Sequence, residues 1–401
     1  MVKKKRQQKT TPGMSQQPRQ GPIGEPVEEQ LIPLKFDTLL KEFRLKKNKS
    51  LIQDIINKRG GSPLVSLVLE GGVKLLPSII LPIFEVLRSI GIKDKIDLFL
   101  STTGGATEVP WRIVSLLREF CKSYTAIIPF TALSAGTHIA LGADSLLMSE
   151  ISTLGPVDPS TTHPLQPLDK SNIPVSVSVE DLKNCIKFIT QQLKDQDEKE
   201  KYSPKDMTEI VGKLFEHIEP LVIGAVERSY ALSRLITRKV LETHIDFSKE
   251  KDKIDRIVDK IGGEYFSHAF PITRRDVEWE LRLKVEKPNN DLFDAIWQLH
   301  TYYRNCFSQT GTLNVTMEVR NPQGHISRKN LNFIVRVLGY IDSPKERRVL
   351  VQLRQPVKDP DSDKVQEKII HTTWIKPNPE ELSESDSNFF LAATQNKPLN
   401  T

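Results

Sequence analysis

The chain has 401 residues, 38% of them hydrophobic and 27% charged, the make-up of a globular protein with room for one large domain and a smaller one. Its formal charge of +6 sits entirely in residues 1–20, where Lys3, Lys4, Lys5, Arg6, Lys9 and Arg19 meet no acid; the other 51 basic residues (57 − 6) balance 51 acidic ones. Three widely spaced cysteines without a CxxC argue against a disulfide framework, and no apolar run reaches the roughly 18–20 residues that span a bilayer.

Residues 1–30, rich in Gln, Pro, Gly and Lys, read as a disordered basic tail. Such a tail can bind nucleic acid or an anionic surface, but more often it is simply a solvated end. With no apolar stretch behind the basic start, no secretory signal is predicted and a cytoplasmic location is expected. From 64 to 149 short apolar runs alternate with helical patterns. Strands are expected at 64–70, 96–101, 124–130 and 145–149, and helices at 82–91, 108–121 and after Ser134. Such alternation implies parallel β-α-β units, whose sites form where strands end and helices begin. A Pro-rich loop follows to about 174, then a helix over 179–194, a charged connection over 194–206, and helices over 207–217 and 220–242. Small residues Gly224 and Ala225 mark the last of these as a place of close packing. Beyond Arg275 strand patterns and the turn signals "NPQG" and "DSPKE" predict a smaller α+β domain over 276–378, with 379–401 a disordered tail.

Two stretches carry chemistry. "FLSTTGGATE" (99–108) is a strand, a Gly-Gly pair and a helix start; "PFTALSAGTHIALGAD" (129–144) turns from strand to helix at Ser134. The first N–H groups of a helix lack intrahelical acceptors, and the helix dipole favours negative charge there. Gly104 and Gly105 remove side chains, so a carbonyl can approach the backbone. A hydroxyl beside such amides is what acyl transfer requires. Serine is equally a favoured N-cap, a role that needs no chemistry.

"LFLSTTGGATEVPWRIVSLLR" followed by "ALSAGTHIALGADSLLMSEISTLGPVDPS" closely resembles the serine dehydrogenase proteinase family, and "PLVIGAVERSYALSRLI" and "YFSHAFPITRRD" extend the resemblance over about 60–275. That family belongs with signal peptide peptidase A and the Clp protease proteolytic subunit. The resemblance implies an α/β, ClpP/crotonase-like fold of repeated β-β-α units with a mainly parallel sheet over 31–275. It implies Ser134 as nucleophile, the Gly104-Gly105 turn and the Ala135 amide as oxyanion hole, and "STLGPVDPS" (152–160) as cleft lining. It also implies a serine endopeptidase acting on peptides as a homo-oligomer, with no cofactor and no metal. One departure stands out: where the family carries Pro ahead of the Gly-Gly pair this chain has Thr103, which loosens a preset backbone angle.

The serine needs a base. Signal-peptide-peptidase-type relatives use lysine, and Lys183 and Lys187 lie beside the apolar face of the helix at 179–194, about 50 residues past Ser134, where desolvation favours the neutral amine. Clp-type relatives use histidine. His163 lies in the loop just beyond the expected position, while His138, four residues into the Ser134 helix, His217 and His268 are further candidates. Asp158 in "GPVDP" either orients a base or fixes a turn. The alternative to a peptidase is a catalytically inactive scaffold on the same fold.

Overall fold

A computed structural model of the chain describes residues 46–157, 160–161, 177–178, 187, 212, 220–265, 267–308, 310–320, 326–358 and 365–376. The chain forms two compact units, residues 35–313 with 332–401 and residues 1–34 with 314–331. In the second unit the described residues, 314–320 and 326–331, are strand; every described helix belongs to the first.

Helix α1 (Lys46–Lys58) leads into strand β1 (Leu64–Leu69), helix α2 (Ile80–Ile90), strand β2 (Lys93–Ser101) and helix α3 (Val109–Phe120). Strands β3 (Cys121–Ile128) and β4 (Thr131–Ala132), helix α4 (Ala135–Leu141), and strands β5 (Ser145–Met148) and β6 (Thr153–Leu154) come after it. The short strands β7 (Ser160–Thr161) and β8 (Val177–Ser178) pair antiparallel with each other. Helices α5 (Pro220–Leu241) and α6 (Phe247–Asp259) come next. They are followed by strand β9 (Ile272–Thr273), helix α7 (Arg274–Trp279), strand β10 (Val285–Glu286) and helix α8 (Asn290–Phe307). The chain continues in strands β11 (Thr310–Arg320), β12 (Ile326–Asp342), β13 (Arg347–Lys358) and β14 (Val365–Ile375).

The main sheet runs β10-β5-β3-β2-β1-β12-β13-β14, with β11 paired to β12. Its first half is parallel throughout. Every residue of β1 and the last six of β2 are buried, as expected of parallel strands covered on both faces. Val65, Leu67, Leu69, Leu98 and Leu100 join one cluster with Ile83, Val86 and Leu87 of α2 and Ile113, Val114 and Leu117 of α3. On the opposite face Phe99 meets Tyr303 of α8, ring centroids 6.1 Å apart, and α8 packs on α1. The mixed α/β fold with a large parallel sheet is thus the one the sequence pattern implies.

Beyond 275 the described residues form helices and strands, and these described strands join the main sheet. β12 pairs antiparallel with β1, with Ser66 opposite Asp342, and β10 pairs parallel with β5 at the other edge. A buried cluster seals the first junction. Asp342 accepts from Arg347 Nε at 2.8 Å, from Asn48 Nδ2 at 2.6 Å and from the Tyr303 hydroxyl at 2.9 Å, tying α1 and α8 to the end of β12. The turn "DSPKE" falls between β12 and β13, as its composition predicts. Gly224 differs from expectation: it is exposed and a Cβ there would meet nothing within 4 Å, while Ala225 beside it is half-buried.

Candidate active site

At the trailing ends of the parallel strands, the loop after β1, the loop after β2 and the turn into α4 converge. β2 is extended by a bridge from Thr102 to Ala132 of β4, with Leu133 N–H donating to Thr102 O at 3.0 Å and Thr102 N–H to Thr131 O at 3.2 Å. On the other side Leu75 bridges Gly105: Leu75 N–H donates to Gly104 O at 2.8 Å and Ala106 N–H to Leu75 O at 2.9 Å. The glycine pair is therefore held between the 70–76 loop and the Ser134 turn.

Ser134 stands at the N-cap position of α4 with φ 50 and ψ −115, one of two non-glycine residues with positive φ among those described. Such a conformation costs of order 1–3 kcal/mol and persists only where its surroundings enforce it. Its hydroxyl makes no capping bond to its own helix, and the residue is partly exposed. The N-cap explanation of the hydroxyl therefore fails here. Gly104, with φ 102, lies directly against it: a Cβ on Gly104 would fall 2.8 Å from Ser134 Cβ and 3.1 Å from the Ala135 nitrogen. A Cβ on Gly105 would fall 2.3 Å from the Leu75 backbone, and one on Gly136 would fall 2.6 Å from Thr102 Cγ2. Only glycine fits either half of the pair, because its neighbours include backbone atoms that cannot yield.

The amides differ in availability. The Gly104 N–H donates to the Thr102 hydroxyl at 3.1 Å. The Gly105 and Ala135 N–H groups have no acceptor among the described residues. The Gly104 amide is thus taken, while the Ala135 amide next to Ser134 in the chain and the Gly105 amide next to Gly104 are not. Thr103 does not leave the turn loose as expected: its hydroxyl accepts from Gly72 N–H at 3.3 Å, a bond the family's proline could not make. Sequence reasoning missed the support that Thr102 and the 70–76 loop give to the glycine turn. The one signal was the second glycine pair, Gly71-Gly72, directly after β1.

Thr137 on α4 locks the turn from behind. Its hydroxyl lies 2.9 Å from Ala132 O and 2.8 Å from Gly155 O and accepts from Gly155 N–H at 3.1 Å. This seats the beginning of "STLGPVDPS" against the serine helix, where β6 pairs with β4 and β9.

The base candidates fare differently. His138 does not face Ser134. It is buried against α5, its Nε2 3.0 Å from Thr237 Oγ1 and 3.3 Å from Ser233 O, and burial pushes its pKa down to about 4. Lys187 is helical and exposed. His268 is exposed, on the segment leading to β9. Lys183, His163, His217 and Asp158 lie outside the described residues, as does the basic 1–20 tail.

Residues 38–236 match the model of the ClpP-like SDH-type serine proteinases. Two curated relatives are uncharacterized proteins of Methanocaldococcus jannaschii. MJ1495 is 27% identical over 237 residues (52% of this chain, 78% of the relative), and MJ0137 is 29% identical over 285 residues (68% and 84%). Among solved structures, a single-residue mutant of the 1510-N membrane-bound stomatin-specific protease aligns at 11% identity and TM-score 0.31, covering 62% of this chain and 86% of that one. ClpP1 from Listeria monocytogenes aligns at 13% identity and TM-score 0.28, covering 60% and 99%. Among the described residues, no helix is long and apolar enough to cross a membrane.

Proposed function

We propose that the chain is a serine endopeptidase that cleaves peptide bonds through an acyl-enzyme on Ser134. The Ser134 oxygen attacks the peptide carbonyl while its proton passes to a base. The carbonyl oxygen becomes an oxyanion beside the Ala135 and Gly105 amides. The base then protonates the leaving amine as the carbon–nitrogen bond breaks. Water, deprotonated by the same base, releases the acyl group as a carboxylate and restores the hydroxyl. The base is a lysine, Lys187 or Lys183, and Asp158 helps to shape the cleft. The working form is a homo-oligomer, as family resemblance suggests, and the place expected from the sequence is the cytoplasm.

The observation that carries this reading is the contact of Gly104 with a positive-φ Ser134 whose hydroxyl makes no bond to its own helix. The free Ala135 amide next to it, with the free Gly105 amide of the adjoining glycine pair, would supply what an oxyanion needs, each worth about 3–4 kcal/mol in a tetrahedral intermediate. The test is hydrolysis of a quenched-fluorescent peptide library. Ser134→Ala is expected to lower turnover by at least about 10³-fold. Of Lys183→Ala and Lys187→Ala, one matches that loss and removes the basic pKa from the pH profile. Turnover unaffected by Ser134→Ala overturns the reading.

A further inference from the structure

A cavity of about 560 Å³ lies between residues 69–79 and the antiparallel half of the sheet. Its lining is mixed. Leu338, Leu350 and Trp374 give the apolar part, while Lys74, Arg336 and Arg354 face one acid, Glu70. Arg354 is already matched: its Nε donates to Gln352 Oε1 at 2.6 Å and its guanidinium pairs with Glu367 at 3.0 Å. Arg336 is not. Its Nε is buried without a hydrogen-bond partner among the described residues. A buried donor of this kind costs about 1–3 kcal/mol, and folded proteins rarely leave one unmet.

We infer that this cavity is a binding site for a monocarboxylate carried on an apolar body, with the carboxylate on Arg336. Three observations select that chemistry. A guanidinium fork is matched by the two oxygens of a carboxylate. With Arg354 neutralised by Glu367, Lys74 and Arg336 against Glu70 leave a single positive charge, which a monoanion balances and a dianionic phosphate exceeds. The leucines and Trp374 offer an apolar bed where a phosphate alone would find nothing to fill. The C-terminal residue of a peptide and a short acyl carboxylate both present this combination.

The site is next to the serine without being part of it. Gly72 lines the cavity and donates to Thr103, and Leu75 in the same loop bridges the glycine pair. Binding is therefore read directly and without turnover, so the inference stands or falls apart from the peptidase reading.

The experiment is calorimetry and tryptophan fluorescence on the full chain and on its Ser134→Ala form, titrated with N-acetyl-Leu-Phe, the same peptide as its amide, octanoate and inorganic phosphate. The expected result is one site for the free acid, with the amide at least tenfold weaker and phosphate not binding. Arg336→Gln is expected to weaken the acid at least tenfold and leave the amide unchanged. Trp374→Phe should remove the ligand-dependent fluorescence change. Octanoate binding as tightly as the peptide acid shows that any apolar chain serves; octanoate failing where the acid binds shows a peptide end; both support the site. Acid and amide binding alike, neither binding at millimolar concentration, or Arg336→Gln leaving the acid's affinity intact overturns the inference. Should Arg336→Gln fail to fold, the acid–amide comparison on the unaltered chain still decides it, and Lys74→Gln, at an exposed position, should weaken the acid alone.

Discussion

The two ends of the parallel strands are built on opposite rules. Across the leading ends, one register row holds Asp97 of β2, Thr125 of β3 and Ser145 of β5, with Glu286 of β10 beside it. Arg59 donates to Asp97 at 2.9 Å and to Glu286 at 2.6 Å. Thr125 and Ser145 hydroxyls lie 2.9 Å apart, and Ser145 donates to Glu286 at 2.6 Å. Burial alone would raise the Glu286 carboxyl, but the bonds from Ser145 and Arg59 and the Arg59 charge hold it below the usual carboxylate range. Here each polar group meets another, so the network closes the end of the sheet. At the trailing ends, a hydroxyl and two amides are left without partners among the described residues, and the backbone is strained around them. The contrast separates polar groups that bond one another from polar groups left without partners among the described residues.

The largest expected effect breaks the closed end. Asp97→Ala takes from Arg59 the fully buried one of its two carboxylates and should cost about 3–5 kcal/mol of folding stability by denaturant titration. Labelling of Ser134 in the fraction still folded should be unchanged. A loss below about 1 kcal/mol would show that the network is not structural.

Acid should act on the fold next. The pKa of His138 lies near 4 in the folded chain, against 6.5 when unfolded. Between those values the unfolded state binds the extra proton, so stability is full above pH 6.5 and falls as pH drops towards 4. At 1.36 kcal/mol per pKa unit the loss at pH 4 is about 3 kcal/mol. His244 and His300, each also pushed by burial to about 4, add losses of the same sign. Glu286 extends the decline to lower pH, as its carboxylate is protonated. Stability that stays flat from pH 7 to pH 4 contradicts this.

The smallest effect sharpens the open end. Ser134→Gly relieves a positive φ that serine tolerates poorly while adding backbone freedom to the unfolded chain. The expected outcome is stability unchanged or raised by up to about 1 kcal/mol, with all serine chemistry lost. A marked drop in stability would make Ser134 a structural residue.

The core of this architecture was legible because its signals are local. The buried strands β1 and β2 and the amphipathic helices α2 and α3 appear within a few residues of their expected places, since apolar runs and helical stripes speak for themselves. Less legible was whatever depends on distant pairing. Nothing in residues 326–342 announces that β12 will lie against β1, since an antiparallel strand carries no mark of its partner. Ser134 and the glycine pair were legible as a motif. The division of labour between them was not. That Gly104 yields its amide to Thr102 while Gly105 keeps its own is set by backbone placement. His138 was the weaker histidine candidate because an i+4 position points along the helix rather than into the cleft, and its ring here meets α5.

The most direct measurement is covalent trapping with a fluorophosphonate, read by mass spectrometry of peptide fragments, at several pH values between about 6 and 10. The account predicts one phosphonyl adduct on Ser134, faster as pH rises through the pKa of the base and absent from Ser134→Ala. An adduct on another residue, or none across that range, would contradict it.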